Sequence, residues 1–331
     1  MNFPNILLKR WFYRKSDTAI VQQILPTLFK IKPGIIICEF ALASATFWLL
    51  WMVKPFFRYK LAIWTHGIKN DELSSPFRSF RGKVSLFIYR RMDAVLFYSQ
   101  ARKEITSKFI KKNDHFFVAT NTLDTDHLFA MRAEFDKETK AGIREKLGIK
   151  SRFVIVYTGR LLQSKRIDLL LETFAMLVRK HSVELHIVGD GPEMTLVKEY
   201  QKKYPGIITH GAIFDEMVVG KIIYASDLML MPGYIGLSLV NCFALGVPVI
   251  SCKTSDEGPF HSPEIEYLQE GFNGALGASD ANSLYSIIDQ LFNTPATLEK
   301  MSDNATHTAR NICNINQMLD GFDKILKYLG N

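Results

Sequence analysis

Five short apolar, β-branched runs recur through the second half of the chain: Phe153–Tyr157, Leu185–Val188, Ile207–Thr209, Leu228–Met231 and Val247–Ser251. Helical or loop sequence separates them. Strands alternating with helices are joined by crossovers, so the pattern predicts a parallel sheet with helices on its faces. After the first run, Ile167, Leu170, Leu171, Phe174, Leu177 and Val178 share one helical face. The first half repeats the alternation less regularly. Candidate strands lie at Ile35–Cys38, Lys60–Trp64, Ala94–Tyr98 and Phe116–Ala119, and candidate helices at Ala41–Met52, Val84–Arg91 and Gln100–Phe109. Ile20, Val21, Ile24, Leu25 and Leu28 also recur at helical spacing. A chain of 331 residues is long enough for two such cores. The expected organisation is α/β, with doubly wound domains at residues 1–140 and 141–331. The highly charged stretch Met131–Ser151 reads as a helical connection between them.

Apolar residues make up 47% of the chain and charged residues 22%, as in an ordinary globular protein. Cys38, Cys242, Cys252 and Cys313 form no CxxC or Cys/His cluster, which suits free thiols in a reducing cytosol. The apolar stretch Ile35 to Val53 is interrupted by Glu39 and reads as a buried strand and helix, too short to cross a bilayer. The first fifteen residues lack the apolar core and small-residue cleavage site of a secretory leader. Charge is uneven. Residues 1–130 hold 20 Lys/Arg against 9 Asp/Glu, and the remainder 21 against 24. A basic first half suits an anionic partner or is a solvated basic face. Aromatics are interleaved with its cations at Leu7–Lys15 and Phe77–Lys83, a mixture that favours a membrane interface. No nucleic-acid-binding signature is present, so no nucleic acid partner is expected.

Three strand-to-helix loops carry chemistry. The first run ends in Thr158-Gly159-Arg160, with Lys165 five positions on. Gly159 permits a tight turn. Two cations beside a helix N-terminus suit a diphosphate, or are simply solvated. Val188-Gly189-Asp190-Gly191-Pro192 follows the second run. Its glycines allow close approach of a ligand, Asp190 can cap a helix and Pro192 suits a first turn; it also reads as a plain turn signal. Pro232-Gly233-Tyr234-Ile235-Gly236-Leu237-Ser238 follows the run at Leu228–Met231. Ligands of doubly wound sheets bind at the carboxyl ends of the strands, where all three loops fall.

Residues 144–290 resemble the nucleotide-sugar-binding half of the family-4 retaining glycosyltransferases, which have the GT-B fold of two Rossmann-like domains facing a cleft. The resemblance rests on Tyr-Thr-Gly-Arg160…Lys165, Val-Gly-Asp-Gly191-Pro, Ala-Ser-Asp227, Gly236-Leu…Ala244-Leu-Gly246-Val-Pro248-Val-Ile and Pro263-Glu264…Gly271-Phe-Asn273-Gly274. In the first half, Thr65-His66-Gly67 is similar to the segment that carries the family's active-site histidine. Tyr98-Ser99-Gln100 and Thr120-Asn121-Thr122-Leu123-Asp124 look like its last βα units. The resemblance implies that Arg160 and Lys165 bind and stabilise the donor diphosphate, and that His66 contacts the donor sugar. It implies that Gly236, Leu237 and Ser238 offer N–H groups to phosphate and that Glu264 approaches the sugar or nucleotide. Gly159, Gly189, Asp190, Gly191, Gly233, Tyr234 and Asn241 would complete the donor site. His66 also reads as a helix cap or packed loop histidine.

Two departures stand out. Many relatives carry glutamates where this chain has Gly233 and Asn241. The phrase Gly-Leu-Ser-Leu-Val-Asn, with His261-Ser-Pro-Glu-Ile-Glu, is similar to a bacterial polysaccharide-assembly subgroup that lacks them. The opening MNFPNILLKRWFYRK shows no Gly-rich acceptor-side loop, so the first domain is expected to be short or the chain a fragment. The implied activity is retaining transfer of a sugar from a nucleotide diphosphate sugar to a growing, lipid-linked surface polysaccharide at the inner face of the cytoplasmic membrane. No cofactor and no metal are expected, although Asp124-Thr-Asp126 spells a metal-binding motif of another glycosyltransferase fold. The other readings are a catalytically inactive scaffold and a sugar-nucleotide epimerase.

Overall fold

The computed structural model describes residues 6–12, 20–68, 72, 75–255 and 257–330; of residues 10–12, 20 and 21 it describes only the backbone. The chain divides into two compact units, Met1–Thr120 with Met318–Asn331, and Asn121–Gln317.

The first unit opens with β1 (Arg10–Phe12) and β2 (Ile20–Gln22), paired antiparallel. Then come α1 (Leu25–Ile31), β3 (Ile35–Glu39), α2 (Ala45–Phe57), β4 (Lys60–Thr65), α3 (Phe80–Tyr89), β5 (Ala94–Phe97), α4 (Gln100–Ser107) and β6 (Phe116–Val118). The strands form a parallel sheet in the order β3-β4-β5-β6. Serines start the helices: Ser44, Ser79 and Ser99 each accept a hydrogen bond from the N–H three residues on. Successive side chains of a strand point to opposite faces. Leu61, Ile63, Val95 and Phe97 therefore pack with Phe47, Leu50, Ile88 and Tyr89 of α2 and α3. Ala62, Ala94 and Leu96 lie on the other face, against Ile325 and Leu329 of the chain's last helix. That helix comes close because a Cβ at Gly321 would stand 2.2 Å from the carbonyl oxygen of Val118. The helical spacing read from Ile20 holds only from Leu25. Ile20 and Val21 belong to β2, and the helix begins where Pro26 suits its first turn.

The second unit comprises α5 (Thr125–Phe135), α6 (Lys140–Lys146), β7 (Phe153–Thr158), α7 (Ile167–Leu177), β8 (Val183–Val188), α8 (Met194–Lys203), β9 (Ile207–Gly211), α9 (Glu216–Ala225), β10 (Leu228–Leu230), α10 (Ser238–Ala244), β11 (Val249–Cys252), β12 (Gly274–Gly277), α11 (Ala281–Asn293) and α12 (Pro295–Asn311). The last helix, α13 (Ile315–Gly330), starts here and runs into the first unit. All neighbouring strands are parallel, in the order β12-β11-β10-β7-β8-β9. From β7 the chain winds outward through β8 to β9, then returns beside β7 and winds the other way.

The boundary expected at residue 140 falls instead between Thr120 and Asn121. Met131–Ser151 is not a free connection. Leu128, Met131, Phe135 and Ile143 are buried in the second core. On α6, Arg144 donates to Asp227 Oδ2 at 2.7 Å and to the carbonyl of Ala225 at 2.8 Å. Asp227 Oδ2 also accepts the N–H of Val154 at 2.8 Å. The Asp of the Ala-Ser-Asp phrase thus fastens α6 to the start of β7. Among the described residues no helix is long and apolar enough to cross a membrane. Cys242, Cys252 and Cys313 are buried free thiols, and Cys38 is half-buried.

Candidate functional site

In the second sheet the winding direction reverses between β7 and β10, the position at which doubly wound sheets leave a crevice beyond their carboxyl ends. The loops after those two strands hold Arg160 to Lys165 and Gly233 to Ser238. The structure therefore brings the two expected cation positions and the Gly-rich loop to one switch point.

The loops are locked by backbone packing. Gly233 N–H donates to the carbonyl of Lys165 at 3.1 Å and Tyr234 N–H to that of Ser164 at 3.0 Å. A Cβ at Gly233 would stand 2.4 Å from Lys165 Cα, so the position takes no side chain without moving this backbone. That contact gives a structural reason for glycine where many relatives are expected to carry glutamate. On the other side, Leu161 N–H donates to the carbonyl of Asp190 at 2.9 Å. A Cβ at Gly189 would stand 1.9 Å from the carbonyl oxygen of Gly159, and one at Gly191 2.5 Å from that of Leu161. Gly159, Gly189 and Gly191 have φ of 141°, 147° and 157°. Asp190 does not cap a helix. It accepts the N–H of Gly191 at 2.7 Å, and α8 begins later, at Met194. The Asp-Gly-Pro turn is thereby set as a spacer ahead of the helix.

Arg160 is exposed, and its own carbonyl is held by the Tyr157 hydroxyl at 2.9 Å. Lys165 is half-buried; its Nζ donates to the carbonyl of Tyr234 at 2.5 Å and lies 4.9 Å from the Tyr234 ring centroid. Burial lowers its pKa to about 8. Lys165 closes a short 3-10 turn (Gln163–Lys165), and Arg166, at φ 52°, breaks it from α7. Gly236, Leu237 and Ser238 lie ahead of or at the start of α10. Their N–H groups meet no protein acceptor among the described residues. Among the described residues Ser238 Oγ has a 3.8 Å contact with Met231 Sδ, and Asn241 sits one turn along the helix.

Below this loop lies a buried polar chain. His261, wholly buried, accepts the N–H of Ile235 at Nδ1 (3.1 Å), and its Nε2 meets the carbonyl of Cys252 at 2.8 Å. Burial lowers its pKa, so the neutral tautomer with hydrogen on Nε2 fits both contacts. Ser262 Oγ donates to the carbonyl of Ile235 at 2.7 Å and is also in contact with Glu264 Oε2. Glu264 is 2% exposed, and its Oε1 accepts from the Asn121 amide, while the Tyr267 hydroxyl donates to the Asn121 carbonyl at 2.8 Å. Asn121 and Glu264 are 143 positions apart, and no spacing in the sequence pairs them. The role of His261 as anchor of the Gly-rich loop was likewise invisible in the sequence. Only its place just before Ser262 and Glu264 hinted at it.

His66 belongs to the first unit, in the loop after β4. It is exposed, with its ring centroid 4.2 Å from that of Tyr98, whose hydroxyl is 3.3 Å from Glu39 Oε1. Glu39, His66 and Tyr98 thus gather at the carboxyl ends of β3, β4 and β5. Asp124 caps α5 by accepting from His127 N–H at 3.0 Å, and Asp126 lies in that helix's first turn. Among the described residues no three His, Cys, Asp or Glu side chains come together as a metal site.

Residues 152–294 match the family model described as glycosyl transferases group 1. Among curated proteins, the N-acetyl-alpha-D-glucosaminyl L-malate synthase of Bacillus anthracis is 25% identical over 225 residues, 66% of this chain and 54% of that protein. The chain spans between 25% and 54% of the length of the curated relatives it matches. Among solved structures, a glycosyltransferase from Rickettsia africae superposes with TM-score 0.70 at 19% identity, covering 93% of this chain and 80% of that one. Anabaena HepE in complex with UDP gives TM-score 0.67 at 20% identity, covering 92% and 83%. These likenesses establish the fold as two Rossmann-like α/β units of the GT-B type.

Proposed function

We propose that the protein is a glycosyltransferase that moves a sugar from a nucleoside diphosphate sugar to a hydroxyl of a growing glycan, with retention of configuration. The observation that carries the reading is the convergence of Arg160, Lys165 and the Gly233–Ser238 loop at the switch point of the second sheet. The family match over residues 152–294 and the UDP bound by HepE support it. In this reading the free N–H groups of Gly236 to Ser238 and the two cations receive the diphosphate. Fixed positive charge then stabilises the negative charge that develops as the sugar leaves. The departing diphosphate helps deprotonate the incoming hydroxyl on the same sugar face. His66 meets the sugar, and Glu264, held by Asn121 and Ser262, frames the sugar or nucleotide. The acceptor is a lipid-linked polysaccharide at the inner membrane surface, and the enzyme works as a peripheral protein on the cytoplasmic side. The charge supplied by Arg160 and Lys165 makes metal unnecessary, so turnover should survive EDTA.

The test is incubation with a panel of nucleotide sugars, following release of nucleoside diphosphate. Slow release from one donor, accelerated by an acceptor glycan, is the expected result. The closed position at Gly233, which removes a side-chain carboxylate, favours one second reading: a non-catalytic partner that retains the nucleotide site. Tight binding of a nucleoside diphosphate with no turnover of any donor would establish that instead.

A further inference from the structure

The helical layer of the first unit turns an unusual face outward. Helix α2 buries Thr46, Phe47 and Leu50 and exposes Met52 (65%) and Phe56 (85%). Helix α3 buries Gly82, Ile88 and Tyr89, while Phe80 (82% exposed), Lys83, Phe87 and Arg90 follow one another at three- and four-residue spacing on its outer face. Helix α1 adds Phe29 (66%) and Ile31, flanked by Lys30 and Lys32. Ring contacts tie the three helices into one layer: Phe29 lies 4.9 Å from Phe57, and Trp51 6.2 Å from Phe87, over which Arg91 sits at 4.9 Å.

The charge of the helices themselves is positive, with one carboxylate, Glu72, at the start of α3, where it accepts from the Ser79 hydroxyl at 2.5 Å. None of the three helices contains an Asp or Glu, and residues 75–91 hold Arg78, Arg81, Lys83, Arg90 and Arg91 with no carboxylate. Among the described residues, Lys54 pairs with Asp93 at 2.6 Å and Arg90 donates to the carbonyl of Phe109 at 3.0 Å. Exposed apolar side chains this large, ringed by cations, mark an interaction surface. A second copy of the chain would bring the same cations face to face. A nucleic acid would use the cations but leave Phe56, Met52 and Phe80 with nothing apolar to enter.

We propose that the α1–α2–α3 face of the first unit docks on an anionic lipid surface, with Phe56, Phe80 and Met52 entering the headgroup and acyl boundary and Lys30, Arg58, Arg81, Lys83 and Arg90 meeting lipid phosphate. This gives the membrane partner of the proposed function a defined seat. Of the basic aromatic segment Leu7–Lys15, expected from sequence to share that role, residues 13–15 lie outside the described residues and residues 10–12 are described by their backbone alone. Within it the side chains of Leu7 and Lys9 are exposed.

The experiment is sedimentation with vesicles of phosphatidylcholine alone or mixed with phosphatidylglycerol, at low and high salt, using the full chain. Binding should require phosphatidylglycerol and weaken with salt. Phe56→Ser with Phe80→Ser should weaken it about tenfold or more, in part that salt does not reproduce, because apolar burial is unscreened. Arg81→Glu with Lys83→Glu should remove the anionic preference. Both pairs are exposed, and unchanged melting temperatures will confirm folding. Equal binding to both vesicle types, or unaltered binding by both variants, overturns the proposal. A concentration-dependent dimer abolished by the Phe pair assigns the face to a second copy instead. Binding to a soluble polyanion that resists the Phe pair assigns it to that class. Donor hydrolysis is measured separately without lipid, so loss of membrane binding and loss of the transferase reading are distinguishable.

Discussion

The two units solve the same βα problem with different materials. In the second, the loops at the carboxyl ends of β7, β8 and β10 are held backbone to backbone. Gly189, Gly191 and Gly233 each sit where a Cβ would collide with a neighbouring main chain. In the first, the corresponding end carries side chains, with His66 packed on Tyr98 and Tyr98 reaching Glu39, and its helices expose rings. A backbone-built site is rigid and intolerant of substitution at its glycines. A side-chain-built surface is tolerant of single changes and tunes what is recognised.

The sharpest way to break this contrast is Gly189→Ala. Its Cβ would stand 1.9 Å from the Gly159 carbonyl oxygen, at a φ of 147° that L-residues avoid. We expect a loss on the order of 3 kcal/mol, read by denaturant unfolding, together with loss of nucleoside diphosphate binding. An alanine variant as stable as the parent would mean that the loops are not locked as described.

Next in size are Arg160→Ala and Lys165→Ala. Each removes a cation from the place where charge develops and should lower turnover by about 10²–10³-fold. Arg160 is exposed and Lys165 half-buried, so unfolding midpoints should barely move. Parent-like rates in either variant would displace the diphosphate from this switch point.

These residues also show how far the sequence could be read. Strands β3 to β11 were legible because their β-branched runs are short and bounded by turn residues, whereas two helix starts, expected at Ala41 and Val84, lie at Ala45 and Phe80, where Ser44 and Ser79 cap them. Arg160, Lys165 and the Gly-rich loop were visible as local phrases. The α5–α6 stretch was misread because its charges outnumber the few apolar residues, Leu128, Met131, Phe135 and Ile143, that place it in the second core. Glu264's partner, Asn121, could not be found at all. A contact across 143 positions leaves no periodic trace, and neither does the return of α13 to the first sheet through Gly321.

His66→Ala probes the other side of the comparison. The ring is exposed, so stability should hold, while turnover should fall about 10²-fold through lost orientation of the sugar. Affinity for nucleoside diphosphate alone should be unchanged, because its proposed contacts belong to the second unit. A matching fall in diphosphate affinity would assign His66 to the phosphates rather than the sugar.

The smallest expected effect is a proton. Burial depresses the Lys165 amine from the ordinary value of 10.5 to about 8, and its hydrogen bond goes to the neutral carbonyl of Tyr234. In the folded protein above pH 8 the amine is therefore largely neutral, whereas in the unfolded chain it stays charged until about 10.5. The unfolded state binds more protons across that window, so this group's contribution to stability rises with pH from about 8 to 10.5 and is flat below. A diphosphate arriving beside the amine favours its charged form and raises the pKa. Binding near pH 8.5 should thus take up a fraction of one proton, about half or more. Calorimetry in buffers of different ionisation enthalpy will read this as a buffer-dependent heat. At pH 6.5 the amine's share of the uptake should vanish, because the amine is already charged, and Lys165→Met should abolish that share at every pH. Arg160→Ala should keep it, since the proton belongs to the Lys165 amine. Buffer-independent heat at pH 8.5 in the parent protein would show that Lys165 does not face the diphosphate and would leave Arg160 and the loop N–H groups to hold it.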